Sequence, residues 1–195
     1  MKRILRLLSS PAAFLISAGI MAVFLIFVLP VKSQDMAAYT PPGGGFDLGG
    51  FYTPSQAMER IQAYTPEGRA AYVYDRWTFD LAFPFAYGFF MLSAWAFGLR
   101  WLRGNSDGKN MRGIFLPLLV PLLAVCFDFV ENTAVTVLML SYPSLPYPAA
   151  IAASAGTALK WIFVSLGFVG AFALPLAGGI RSLRNNLFDR AKPVS

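Results

Sequence analysis

Long stretches without charged residues dominate the pattern of hydrophobic and polar positions along this chain. Four stretches reach the ~20 mostly apolar residues that a helix needs to cross a membrane. They cover residues from about 12 to 31, 78 to 99, 114 to 140 and 149 to 180. The pattern therefore predicts an all-α fold, a four-helix transmembrane bundle that forms one integral membrane domain over residues 1–195.

The first stretch follows a basic segment that contains Lys2, Arg3 and Arg6, as a secretory signal peptide would. Its apolar run is longer than the ~7–15 residues of a signal-peptide core, and no clean Ala-x-Ala site follows it. We therefore interpret this stretch as an uncleaved membrane anchor, with a cleaved signal peptide as the alternative.

Residues 32–77 form the one long polar segment between predicted spans, and the triplet Tyr-Thr-Pro occurs in it three times. Threonine caps free backbone N–H groups at a helix start, and proline is well tolerated at the first helical position. Thr53 with Gln56 fits a capping box, which predicts a short helix from Pro54 to Ala63. This helix is expected to lie on the membrane surface or to cap the bundle, and an ordered loop is the alternative. A second helix start is predicted at Pro66.

The composition supports a membrane protein and excludes several kinds of chemistry. Hydrophobic residues make up 56% of the chain and charged residues 13%, against roughly 25% charged in soluble domains. Histidine is absent, which excludes a Ser-His-Asp triad and imidazole-bound metals, and one cysteine allows no internal disulfide. No phosphate loop, dinucleotide fingerprint or metal-ligand spacing occurs, so we expect no cofactor and no metal.

The basic residues are distributed unequally between the segments that connect the predicted spans. Eleven lie in the two terminal segments and the connection between spans two and three, whereas four lie in residues 32–77. Because basic residues concentrate on the cytoplasmic side, both termini are expected to be cytoplasmic. This bias accounts for most of the net charge of +6, so a nucleic-acid partner is not expected.

Ionisable residues inside the predicted spans are the most informative feature, because they are costly in lipid and usually face a partner. Asp128, Glu131 and Asn132 share one helix face by their i, i+3 and i+4 spacing. Glu131 and Asp128 lie roughly 14 and 18 Å from the outer end of span three, and Lys160 about 16 Å from that of span four. We therefore predict an ion pair between Lys160 and Asp128 or Glu131.

Span two adds a further acid, Asp80, with Pro84 and Tyr87 on the same helix face. Three acids and one lysine would leave two negative charges uncompensated, and close carboxylates do not readily ionise together in low dielectric. Either one acid is protonated, or Arg69 or Arg76 reaches in from the outer end.

Several short motifs lie in spans two to four and in the approach to span two. They are Glu67-Gly68-Arg69, Asp80 with Phe83-Pro84 and Tyr87, Asp128 to Asn132 followed by Tyr142-Pro143, and Lys160-Trp161. In these motifs the chain resembles a group of small four-span bacterial membrane proteins. The resemblance implies the bacterial inner membrane but no particular activity.

The layout is also similar to that of the sigma-2 receptor and emopamil-binding protein family, in its long first outer segment and its intramembrane acids. This resemblance implies a buried cavity for a small hydrophobic ligand. The sterol isomerases of that family also use histidine, which this chain lacks. A binding cavity is compatible with that difference, whereas isomerase chemistry is not.

These patterns lead to one functional hypothesis and three alternatives. We expect the polar cluster to bind or pass a small amphiphile, a lipid or a proton, with membrane lipids and a small hydrophobic ligand as partners. The alternatives are polar contacts that only hold helices together, a non-catalytic subunit with partner membrane subunits, and a lipid-modifying enzyme that uses carboxylates alone. The candidate site residues are Asp80, Tyr87, Asp128, Glu131, Asn132 and Lys160.

Overall fold

The structure, a computed structural model, describes residues 2–42, 45–48, 50–103 and 112–190. Within these ranges the chain is helical and contains no strand, which confirms the predicted all-α fold. Lys109 and Lys192, two of the basic residues counted above, lie outside the described residues. The helices are α1 (Lys2–Leu8), α2 (Pro11–Tyr39), α3 (Pro54–Ala63), α4 (Pro66–Arg76), α5 (Phe79–Leu102), α6 (Arg112–Phe115), α7 (Leu119–Ser141) and α8 (Tyr147–Arg190).

Four helical segments are long and apolar enough to cross a membrane, namely α2, α4 with α5, α7 and α8. Helix α5 contacts the other three spans, α2, α7 and α8, and α8 also packs along α7. We call the end of the bundle formed by α3 and by the α7–α8 connection the outer end.

Contacts between α7 and α8 show that these helices are antiparallel. Thr157 contacts Glu131, whereas Phe163, further along α8, stacks on Phe127, which comes earlier in α7. Helix α7 is likewise antiparallel to α5, since Asn132 bonds to Asp80 whereas Asp128 bonds to Tyr87. The connection between α7 and α8 is short, as is usual between antiparallel neighbouring helices.

Helices α5 and α8 run in the same direction, and the first span begins at the end of the bundle where the fourth span ends. The Trp95 Nε1–H group donates to the Gly167 carbonyl at 2.8 Å, and Gly98 then lies beside Leu174 and Pro175. The four spans therefore alternate in direction along the chain, with both described chain ends opposite the outer end.

The first and fourth spans extend beyond the predicted limits of residues 31 and 180. Helix α2 continues to Tyr39 through a π-helical turn at Phe24–Val28. This turn lies just before Pro30, which has no backbone N–H group to donate. Lys32 lies on this extension and bonds to Asp75 of α4 at 3.3 Å. Hydropathy locates the apolar part of such a helix but not its end, because the backbone continues as a helix through polar residues.

The outer segment packs into the bundle. The predicted helix from Pro54 to Ala63 is confirmed, and the Thr53–Gln56 capping box holds both of its hydrogen bonds. Ala57 and Ile61 of this helix are buried, so α3 caps the bundle, and the alternative of a simple loop is wrong. It covers an aromatic core that contacts the outer parts of α7 and α8 and includes Phe46, Tyr52, Tyr64, Tyr72, Val135, Leu138 and Met139.

Gly98 marks a close approach of α5 to the backbone of α8. A Cβ at this position would lie 2.6 Å from backbone atoms of Leu174 and Pro175, so α8 would have to move. Gly19 of α2 offers a matched control, since a Cβ there meets nothing within 4 Å.

We expect Gly98→Ala to destabilise the bundle by about 1–3 kcal/mol, as overpacking does in other cores. In a chain of this size each kcal/mol lowers Tm by roughly 2–4 °C. Thermal unfolding in a neutral detergent would measure the change, with Gly19→Ala expected to leave Tm equal or slightly higher, because alanine favours the helix over glycine. Equal Tm values for the two variants would contradict the close α5–α8 contact.

Candidate functional site

The predicted polar face of α7 is buried and meets Lys160 of α8. Asp128, Glu131 and Asn132 are 7%, 1% and 1% exposed, and Lys160 is 6% exposed. The Lys160 ammonium pairs with the Glu131 carboxylate, and its Nζ atom lies 3.7 Å from Asp128 Oδ1. The predicted ion pair is therefore confirmed, and the lysine lies between both candidate acids.

Neutral hydroxyl groups complete the surroundings of these two acids. The Tyr87 hydroxyl of α5 donates to Asp128 Oδ2 at 2.7 Å. The Thr157 hydroxyl, one turn before Lys160, donates to Glu131 Oε1 at 2.9 Å. Each carboxylate thus has a hydroxyl donor as well as the lysine, which is the pattern expected where ionic groups are removed from water.

Asp80 pairs with an arginine instead of the lysine. Arg76, the last residue of α4, lies 2.6 Å from Asp80 Oδ2 through its Nη1 atom and is itself 2% exposed. Asn132 links this pair to α7, because it accepts from Arg76 at 3.2 Å and donates to the Asp80 carbonyl at 3.3 Å. Arg76 is therefore the arginine that reaches in, whereas Arg69 lies over the Tyr142 ring.

A fourth carboxylate, which was not predicted, joins the two halves of the site. Asp47 lies in a short 3₁₀ turn, Phe46–Leu48, that dips into the outer end of the bundle. Lys160 donates to its Oδ1 atom at 2.9 Å, and Arg76 binds both of its oxygens. We call the connected groups Asp47, Arg76, Asp80, Asp128, Glu131 and Lys160 the ionic cluster.

Three contacts hold the Asp47 turn in place. The Phe46 side chain is completely buried between Tyr52 and Tyr72, which meet it edge to face. The Trp161 indole of α8 donates to the Asp47 carbonyl at 2.7 Å, and Tyr52 N–H donates to the Ser154 hydroxyl at 3.0 Å. The turn is thereby fixed to α8 on either side of the Asp47 carboxylate.

Two opposing effects act on the Asp47 carboxyl, which lies outside the membrane-spanning helices. Burial alone would raise the pKa of Asp47, but the adjacent Arg76 and Lys160 cations outweigh burial and hold this pKa well below its usual value. Asp47 is therefore ionised at neutral pH and acts as a permanent negative charge between the two cations.

The sequence contained two signals that pointed toward the missing partners. The excess of acids over bases within the spans required compensation from outside them, and Arg76 supplies part of it. Phe46 was an isolated aromatic residue beside an acid in a glycine-rich segment, a pattern that is compatible with insertion into the bundle. The sequence alone did not indicate that Asp47 is part of the site.

Toward the inner end the ionic cluster gives way to apolar packing. Tyr87 is its innermost polar contact, and the interior beyond it is filled mainly by methionine, alanine and aromatic side chains. Ser93 is also buried at this level. The apolar residues that fill this level are Phe90, Met91, Ala94, Ala124 and Ala171.

The carboxylates bind cations of the protein and do not converge on a common empty point. Among the described residues, no group of three or more His, Cys, Asp or Glu is placed to hold a metal ion. The arrangement can therefore exchange protons or bind a charged group through its side chains.

Comparison of the chain with protein-family models, with curated proteins and with solved structures found no match. The two resemblances described above therefore stay predictions, and the function has to be inferred from the site.

The Asp47 pairing predicts a specific pH dependence. A carboxyl with a lowered pKa in the folded state stabilises the protein above its unfolded pKa of about 4, and this stabilisation is lost as the pH falls further. Asp47→Asn is therefore expected to unfold at a lower temperature than the wild type at pH 7. The difference in Tm should shrink as the pH is lowered below about 4.

Asp35→Asn is the matched control for this measurement, because its side chain is 57% exposed and its nearest cation, Lys32, is 3.7 Å away. This control should follow the wild type at every pH. A Tm difference between Asp47→Asn and wild type that is independent of pH would show that the carboxylate charge is unimportant.

Proposed function

We propose that this polytopic membrane protein binds the polar end of a small amphiphile or lipid at the ionic cluster, which the ligand reaches from the outer end. The observation that carries the proposal is the way in which the cluster is covered. A three-residue turn, Phe46–Leu48, lies over it at the outer end, whereas helices enclose the rest. This turn is the non-helical part of the cover, so we expect the ligand to enter there.

The apolar packing toward the inner end supports binding over passage through the bundle. A conducting site would need polar groups along the whole path, whereas the chain places Met91 and Phe90 beyond Tyr87. Lys160 is about thirteen residues, or roughly 20 Å, from the start of α8 at Tyr147, and the cluster extends from this depth to the Asp47 turn at the outer end.

Protons are expected to accompany the ligand. The ionic cluster contains four carboxyl groups and two cations, which leaves two negative charges uncompensated when all groups are ionised. Close carboxylates in low dielectric do not readily ionise together. In our proposal Asp128 or Glu131 carries a labile proton, and Lys160 is its counter-ion.

The proposed orientation places the outer end away from the cytoplasm, in the bacterial inner membrane. Both described chain ends lie at the opposite end of the bundle, where α1 packs against the inner part of α5. Eleven basic residues belong to the sequence segments at that end, which supports a cytoplasmic location for both termini.

We expect the paired substitution Asp128→Asn with Glu131→Gln to change the affinity for a charged single-chain amphiphile by at least about tenfold, or about 1.4 kcal/mol. Whether the affinity rises or falls indicates the charge of the ligand, because removal of negative charge from the site favours anions and disfavours cations. Dodecanoate and dodecylamine are suitable probes, titrated calorimetrically into the full chain in a neutral maltoside detergent.

Asp35→Asn again serves as the control, since it removes an exposed carboxylate from the outer end of α2. Its affinities should equal those of the wild type. If the double variant elutes and melts as a folded protein and also binds both probes as the wild type does, the ionic cluster is not the binding site.

An apolar groove on the outward face of α7 and α8 favours a second candidate function, packing against a partner membrane subunit. The groove has a volume of about 560 Å³. Small side chains at such a surface allow another helix to approach closely. Its lining residues are Phe129, Val130, Thr133, Ala134, Pro148, Ala149 and Ala152.

Purification in a mild detergent distinguishes the two functions. A monodisperse single chain with bound amphiphile supports the binding site, whereas a subunit that co-purifies reproducibly, and is lost from an Ala149→Trp variant, supports the complex.

A further inference from the structure

We propose that the Asp47 carboxylate occupies a binding site for the carboxylate headgroup of a fatty-acid-like amphiphile, formed by Arg76 and Lys160, and that the ligand binds by displacing Asp47. This inference rests on the proposed function and names the chemical class of its ligand.

The geometry around Asp47 is that of a complete carboxylate-binding site. Arg76 presents Nη1 to Oδ1 at 3.1 Å and Nη2 to Oδ2, so the guanidinium binds both oxygens. Lys160 adds a third donor at 2.9 Å from Oδ1. A planar guanidinium fork matches a planar carboxylate in two parallel hydrogen bonds, which makes the pair selective in shape as well as in charge.

Asp47 is the one carboxylate of the ionic cluster that does not lie on a membrane-spanning helix. Its side chain is 24% exposed, whereas those of Asp80, Asp128 and Glu131 are 13%, 10% and 1% exposed. An incoming headgroup therefore meets Asp47 first. The turn that carries it is three residues long, and its displacement would release the buried Phe46 side chain and the hydrogen bond from Trp161.

Neither cation loses all of its partners when Asp47 leaves. Arg76 remains paired with Asp80 at 2.6 Å, and Lys160 remains paired with Glu131. The usual penalty for separating a buried ion pair, about 3–5 kcal/mol from the uncompensated charge, is therefore reduced at this position. A carboxylate from a ligand would then restore the interactions that Asp47 gives up.

Charge balance favours a singly charged anion. Exchange of one carboxylate for another leaves the net charge of the ionic cluster unchanged. A doubly charged phosphate monoester would add a negative charge next to Asp80 and Glu131, and an ammonium group would face Arg76 and Lys160 directly. Like charges in low dielectric repel strongly, so both of these ligands are disfavoured.

An exposed aromatic surface next to Asp47 could contact the alkyl chain of the ligand. Trp161, whose indole bonds to the Asp47 carbonyl, is 44% exposed on the lipid-facing side of α8. A headgroup bound between Arg76 and Lys160 would thus have an aromatic, lipid-exposed surface beside it. This position favours an amphiphile from the membrane over a water-soluble carboxylate.

The experiment is a titration of the full chain, in neutral maltoside detergent at pH 8, with dodecanoate, dodecyl phosphate and dodecylamine. We expect dodecanoate to bind most tightly. Asp47→Asn should bind dodecanoate about tenfold more tightly than the wild type, because removal of an internal competitor raises the apparent affinity. Asp35→Asn should match the wild type, and partition of the probe into micelles is the same for all three proteins.

A second measurement uses only the wild type, and so does not depend on the folding of the variant. Hydrogen exchange at the Tyr52 amide, which donates to Ser154 in the closed turn, should rise when dodecanoate is added. Unchanged or slower exchange, or equal dodecanoate affinity in folded Asp47→Asn and the wild type, would show that the ligand does not displace Asp47.

The remaining outcomes separate this inference from the proposed function. Tighter binding of dodecylamine or dodecyl phosphate than of dodecanoate would overturn the carboxylate class and leave the amphiphile site in place. Absence of binding by all three probes, at concentrations where the folded wild type is stable, would overturn both.

Discussion

The burial of Glu131 and Lys160 inside the bundle is the constraint on which the rest of the structure depends. Separating a buried ion pair costs about 3–5 kcal/mol, so the two helices that carry it must keep one register. Gly156 permits this register, because a Cβ there would lie 3.0 Å from the backbone nitrogen of Glu131. The close approach of α8 to α7 brings the lysine to the polar face, and Asp128 and Asn132 are placed by the same contact.

The outer segment is a part of the ionic cluster and not only a connection between two spans. Helix α4 ends at Arg76, which is buried because Tyr72 lies under its guanidinium plane and accepts a hydrogen bond at 2.6 Å. The aromatic core above α7 and α8 holds α4 in this position and also holds the Asp47 turn. The hydrophobic packing of the outer segment therefore positions two charges that the spans require, so stability of the cap and chemistry of the site are coupled.

The parts of this arrangement that follow from local rules could be predicted from the sequence. Apolar length predicted four spans, and the Thr53–Gln56 capping box predicted α3. Helical periodicity combined with depth predicted the pairing of Lys160 with Asp128 or Glu131. Asp47 could not be predicted, because a non-helical turn has no periodicity and its depth depends on the tertiary packing of Phe46. For the same reason the sequence could not decide between Arg69 and Arg76. Which arginine reaches the cluster depends on the direction in which α4 leaves the aromatic core.

Helix packing alone accounts for only part of the ionic cluster. Two cations in an apolar interior require two carboxylates, and Asp80 with Arg76 and Glu131 with Lys160 already meet that need. Asp47 and Asp128 are additional, and each added buried charge raises the cost of folding unless a proton or an opposite charge accompanies it. A bundle held together only by polar contacts would not need these two carboxylates to balance its cations. The surplus carboxylates are therefore the part of the structure that the proposed binding function accounts for and helix packing does not.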